Sequence, residues 1–199
     1  EHRTYRPQTK GDSRAIQHAV EMMAAAKRPV FYTGGGVINA GPKASKLLRE
    51  LVRLTGFPIT STLMGLGAFP ASDPQWLGMV GMHGTYEANL SMNRCDLMIN
   101  IGARFDDRVT GRLDAFSPNS KKIHVDIDAS SFNKTVKCDV PILGDAAEIL
   151  AEMVAAWKAL GKKNDPAAMK AWDAQVGEWR ARKSLGYRHS DEVIKPQYA

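Results

Sequence analysis

Leu97-Met98-Ile99-Asn100-Ile101-Gly102 places four large apolar residues in a run of five and closes the run on a glycine. A run this short, apolar on both faces and stopped by a flexible residue, predicts a strand buried between two layers. The charged stretch Arg104-Phe105-Asp106-Asp107-Arg108 follows at once. Working outward, the same unit recurs. Val30-Phe31-Tyr32-Thr33 runs into Gly34-Gly35-Gly36, Pro58-Ile59-Thr60-Ser61 into Thr62-Leu63-Met64-Gly65-Leu66-Gly67, and Leu77-Gly78-Met79-Val80 into Gly81-Met82-His83-Gly84. Lys122 to Ile127 and Val140 to Leu143 complete the set.

Helices are predicted between these strands. Behind a cap at Asp12 or Ser13, Ile16, Ala19, Val20 and Met23 fall on one stripe, and Pro29 is expected to end that helix. A second helix runs from about Pro42 through Leu48 and Leu51 to Gly56, with proline in the first turn and glycine at the stop. Thr85 to Asn93 reads as a third. Gly144-Asp145 opens a fourth with Ile149, Leu150, Met153 and Trp157 inward, ending at Gly161, and Trp172, Val176 and Trp179 mark the last. The alternation implies an α/β fold, a Rossmann-like three-layer sandwich around a parallel sheet of about six strands. Ligands bind outside the carboxyl ends of such strands. The loops Gly34–Gly36, Ser61–Gly67, Gly81–Gly84, Gly102–Gly111 and Asp126–Ser131 should therefore share one edge of the sheet.

The chain has 199 residues, 44% apolar and 24% charged, enough for one hydrophobic core and outside the disordered range. No apolar run reaches the roughly 18 residues that a bilayer span needs, and the N-terminus lacks a signal-peptide core. The two cysteines, Cys95 and Cys138, make no disulfide framework or zinc cluster. The net charge of +6 comes from scattered residues, 27 Lys+Arg against 21 Asp+Glu, with no basic patch interleaved with aromatics. Neither a nucleic-acid nor a membrane partner is expected, and the default is a reduced, cytoplasmic domain. Both ends read as domain borders: residues 1–11 as a linker, 12–160 as the domain, and 161–199 as a helix and linker toward a domain that is missing.

Four motifs bear on chemistry. Thr33-Gly34-Gly35-Gly36 sits where glycines let backbone approach a phosphate, but Asn39 breaks the G-x-G-x-x-G spacing and no acidic residue ends the second strand. A tight strand–helix turn explains it equally well. Gly81-Met82-His83-Gly84 brackets a soft apolar side chain on which a flat ring can lie. Arg104 to Arg108 can hold phosphate or form a structural ion cluster. Asp126-Ile127-Asp128 ends a strand where a carboxylate can accept ribose hydroxyls, or can cap a turn. No Ser-His-Asp order, Walker A loop or metal-spaced His/Glu motif is present.

Together and in this order, these segments resemble the central domain of the catalytic subunit of acetohydroxyacid synthase (acetolactate synthase). The matching stretches are Pro29–Gly36, Thr60–Gly67, Gly78–Gly84, Asp96–Gly111 and Ile123–Asp128, within roughly residues 12–160. Gly-Met-His-Gly and Gly-Ala-Arg-Phe-Asp-Asp-Arg-Val-Thr-Gly are the most specific of them. The resemblance implies a three-domain enzyme using thiamine diphosphate, Mg²⁺ and FAD. It decarboxylates pyruvate and joins the two-carbon unit to a second 2-keto acid, pyruvate or 2-ketobutyrate, in valine, leucine and isoleucine biosynthesis. In that family the activating glutamate lies in the first domain and the Mg²⁺ ligands in the third, so no catalytic or metal-binding residue is expected here and the chain alone should be inactive. The central domain there binds FAD. Carried over, Gly35 and Gly36 approach the nucleotide, and Thr62 and Leu63 line its path. Gly81, Met82 and His83 sit along the flavin. Gly102, Arg104, Asp106, Arg108 and Val109 hold the phosphates and ribityl chain. Asp126 and Ile127 take the adenosine, with Gly144 and Asp145 close by. The resemblance further implies a homodimer or homotetramer with a small regulatory subunit. Glyoxylate carboligase, an NAD-dependent deacylase, and a structural domain that has lost its nucleotide are the competing readings.

Overall fold

A computed structural model describes residues 6–161 and 163–196; residues 1–5, 162 and 197–199 of the segments read as linkers lie outside them. Six strands form one all-parallel sheet: β1 (Pro29–Thr33), β2 (Ile59–Ser61), β3 (Trp76–Met79), β4 (Leu97–Ile101), β5 (Lys121–Asp126) and β6 (Val140–Leu143). Their spatial order is β3-β2-β1-β4-β5-β6. The order reverses between β1 and β4, the switch point that opens a crevice in doubly wound sheets. Thr33 pairs in register with Ile101, so the loops leaving these two strands start at the same height.

Alternation along each strand feeds both layers. Phe31, Ile99 and Ile101 join α1 (Ser13–Ala25), α3 (Pro42–Thr55) and α6 (Ala146–Ala159) in one apolar cluster around Met23, Leu48, Leu51, Ile149 and Trp157. Val30, Tyr32 and Met98 point the other way, toward α4 (Tyr86–Arg94) and α7 (Pro166–Arg180), with Met92, Trp172 and Val176. A sheet covered on both faces has strands apolar on both faces, and that is why the sequence shows near-continuous apolar runs.

Some boundaries differ from the sequence reading. Pro29 does not end α1, which stops at Ala25; it opens β1 instead. The connection between them is held by Asp96, whose carboxylate accepts the amides of Lys27 and Arg28 at 2.8 Å each. A short helix, α2 (Gly35–Asn39), stands between the glycines and Pro42, where two glycines and a five-residue length leave no apolar period to read. A four-residue helix, α5 (Asp107–Thr110), likewise begins within the charged stretch.

Candidate functional site

The glycines after β1 and β4 bring two loops into backbone contact at the switch point. The Gly34 amide donates to the Ile101 carbonyl and the Gly36 amide to the Gly102 carbonyl, both at 3.0 Å. A Cβ on Gly34 would collide with the Gly102 carbonyl oxygen, and one on Gly36 would lie 2.7 Å from the Gly102 Cα. Gly102 itself has φ +67°. These glycines therefore make a tight turn and at the same time floor a cleft of ≈ 720 Å³ at the carboxyl ends of the strands. That volume lies within the usual range for small-molecule sites.

All but two of the residues read as cofactor-binding line this cleft: Gly35, Gly36, Thr62, Leu63, Gly81, Met82, His83, Gly102, Arg104, Asp106, Arg108, Val109, Asp126 and Ile127. Gly144 and Asp145 line an adjoining depression of ≈ 230 Å³ that shares Gly36, Gly102, Asp126 and Ile127 with it. Asp145 is committed to capping α6, its carboxylate accepting the amides of Ala147 at 2.8 Å and Glu148 at 3.3 Å.

The chemistry changes along the cleft. On the β2–β3 side, Leu63, Met64 and Met82 are 67%, 74% and 76% exposed, a soft apolar end. At the middle stand Arg104 and Arg108. Arg104 Nη2 lies 3.1 Å from Asp106 Oδ2, and Arg108 Nε lies 4.0 Å from Asp107 Oδ2. Both guanidinium groups reach solvent, where such pairs contribute about 0–1 kcal/mol, so a phosphate can take either arginine at little cost. Beyond β5, one Asp126 oxygen accepts the Asp128 amide at 2.9 Å. Asp128 in turn accepts the Ser130 amide at 2.9 Å, and the bonds from Ser130, backbone first, hold its carboxyl below the usual value. Two carboxylates thus face the third section.

Sequence reasoning missed the supports beneath the charged loop. Asn100, the polar residue inside the best strand, is buried; its side chain accepts the Ala103 amide at 3.1 Å and donates to the Ala103 carbonyl at 2.6 Å. Phe105 adopts φ +53° and is buried against the rings of Tyr32, Phe116 and His124. A buried aromatic at positive φ is held there by its surroundings, and it leaves the flanking arginines pointing outward. Tyr32 lines the cleft with its hydroxyl buried and unpartnered; burial, then the charge of Asp106, raises its pKa. The isolated Asn in an apolar run was the one available signal, because a buried amide must find partners. Among the described residues, no group of three or more His, Cys, Asp or Glu is placed to hold a metal ion, and no helix is long and apolar enough to cross a membrane.

The family model described as thiamine pyrophosphate enzyme, central domain, matches residues 16–153. The chain is 44% identical over 195 residues to the acetolactate synthase isozyme 3 large subunit of Escherichia coli (strain K12), covering 98% of this chain and 34% of that protein. It is 45% identical over 197 residues to the acetolactate synthase of Mycobacterium bovis, covering 98% of this chain and 31% of that protein. The large subunit of Haemophilus influenzae is 41% identical over 195 residues, with 98% and 34% covered. The chain spans about a third of the length of these curated relatives. With its all-parallel sheet and switch-point cleft, this chain belongs to the central-domain family of thiamine pyrophosphate enzymes.

Proposed function

We propose that the cleft binds FAD and that the chain serves as the central domain of an acetolactate synthase catalytic subunit. The observation that carries the reading is the order of chemistry along the cleft: an apolar end at Leu63, Met64 and Met82, two exposed arginines at the middle, and carboxylates at Asp126 and Asp128. A flat ring, a pyrophosphate and a ribose need those three environments in that order. Glycines at 34, 36 and 102 supply the room. FAD, when bound, contributes an isoalloxazine ring at the apolar end; this chain's residues hold and orient it.

In the parent enzyme we place the reaction itself elsewhere: pyruvate loses CO₂ and is joined to pyruvate or 2-ketobutyrate on thiamine diphosphate, with Mg²⁺, on parts of the protein beyond these residues. Residues 12–160 are proposed as the FAD domain and 161–199 as its passage to the thiamine diphosphate domain. A homodimer or homotetramer with a small regulatory subunit, and a cytoplasmic setting for the free thiols Cys95 and Cys138, complete the reading. Titration of the purified chain with FAD, followed by flavin fluorescence with NAD as control, tests it. Saturable binding of FAD and not NAD is expected; binding of NAD alone overturns it.

A further inference from the structure

The apolar end of the cleft is built on a turn closed by one backbone bond of its own, the Gly84 amide donating to the Gly81 carbonyl at 3.0 Å. Gly81 has φ +113°, and a Cβ there would lie 2.9 Å from the Arg108 carbonyl, so the turn is pressed against the arginine loop with no side chain between. Met82 and His83 project from it into solvent. A side chain eight residues on adds a second brace. Asn89, on α4, accepts the Gly81 amide at 3.0 Å through Oδ1. Through Nδ2 it donates to the Gly81 carbonyl at 2.9 Å and to the Thr85 carbonyl at 3.1 Å. One amide thus closes both backbone groups of the residue from which Met82 departs. The helix that carries Asn89 is itself anchored. Thr85 caps it, accepting the Ala88 amide at 3.2 Å, and Ser184 accepts the Tyr86 amide at 3.0 Å.

We propose that Asn89 is a positioning residue for the ring end of the cleft: it sets where Met82 presents its thioether and so decides whether a ligand bearing a flat apolar ring is held more tightly than the same ligand without one. This rests on the reading of the cleft as an FAD site. Asn89 does not line the cleft, so it acts on a ligand through the turn it clamps. The arginines and Asp126, which serve phosphate and ribose, stand on loops that Asn89 does not touch.

The test compares FAD with ADP, which keeps the adenosine and both phosphates and lacks the ring. The unsubstituted chain, Asn89→Ala and Asn89→Asp are titrated with each. Asn89→Asp keeps the acceptor for the Gly81 amide and removes both donors, and serves where the alanine variant does not fold. FAD affinity is expected to fall about tenfold with ADP affinity unchanged. Equal losses for the two ligands, or no loss for either, overturn the proposal. Amide hydrogen exchange at Gly81 provides a readout independent of ligand: its protection should drop in Asn89→Ala and be kept in Asn89→Asp, which retains the acceptor. If the unsubstituted chain binds no FAD, the reading of the cleft fails and the ring assignment with it. Unchanged Gly81 exchange in Asn89→Ala with intact FAD binding overturns the clamp alone.

Discussion

At the scale of single residues, position relative to water decides what each charged or reactive group can do. Arg104 and Arg108 are exposed, so reversing them to glutamate should leave the fold intact. Removing one charge-assisted hydrogen bond to phosphate weakens binding by about 1.5–3 kcal/mol. The double charge reversal should therefore cut FAD affinity by at least a hundredfold, roughly 2.7 kcal/mol, with a midpoint of urea unfolding that does not move. Unchanged affinity would remove the arginines from the site. Cys95 is the opposite case. Burial comes first among the causes that push its thiol from 9.0 up to about 11. The fold keeps the proton that the unfolded chain releases near pH 9, so the stability this group contributes is full below pH 9 and is lost as pH rises through about 11. Lys122 beside it is shifted downward by burial and acts in the other sense, offsetting part of the loss. Stability measured from pH 8 to 11 should decline less steeply in Cys95→Ala than in the unsubstituted chain. A parallel slope would sink the assignment.

Elements in this protein are fixed by what they cover. α7 is mixed in composition along its length, yet Trp172 and Val176 are buried beneath it, and Trp172 donates its indole N–H to the Pro29 carbonyl at 3.0 Å. Arg180, at its end, donates to the Pro74 and Trp76 carbonyls at 2.9 and 2.8 Å. This helix therefore closes the second layer over β1 and reaches the edge of β3. Trp172→Ala should cost about 3–5 kcal/mol of unfolding free energy, whereas Trp172→Phe, which keeps most of the ring and loses the bond, should cost about 1–2 kcal/mol. Denaturant titration of the two variants separates packing from the hydrogen bond. The short elements show the limit of local reading. α2 and α5 have five and four residues, too few for a stripe, and exist because the switch-point loops must turn sharply while their backbone groups find partners.

For the whole molecule, the sheet order places the glycine-bearing loops that leave β1, β2, β3 and β4 on one edge, so a cleft ligand bridges loops that leave β1, β2, β3, β4 and β5. Binding at such a place draws on the folded state alone. Saturating FAD, at about a hundred times its Kd, should raise stability by about 2.7 kcal/mol and shift the melting midpoint upward, while NAD at the same concentration leaves it unmoved. An unshifted midpoint would contradict the proposed site. By itself the sequence determined the layer architecture, because short apolar runs closed by glycine and separated by helical stripes admit few other arrangements. It also determined which loops meet at one edge, since loops at the carboxyl ends of parallel strands must do so. The tertiary structure alone decided that Gly34, Gly36 and Gly102 are needed for one another, that Phe105 and Asn100 hold the arginine loop, and that Asn89 clamps the turn at Gly81. Those contacts join residues on different elements or fix the path of a loop, and their geometry follows from strand register and packing, which no local pattern of residues encodes.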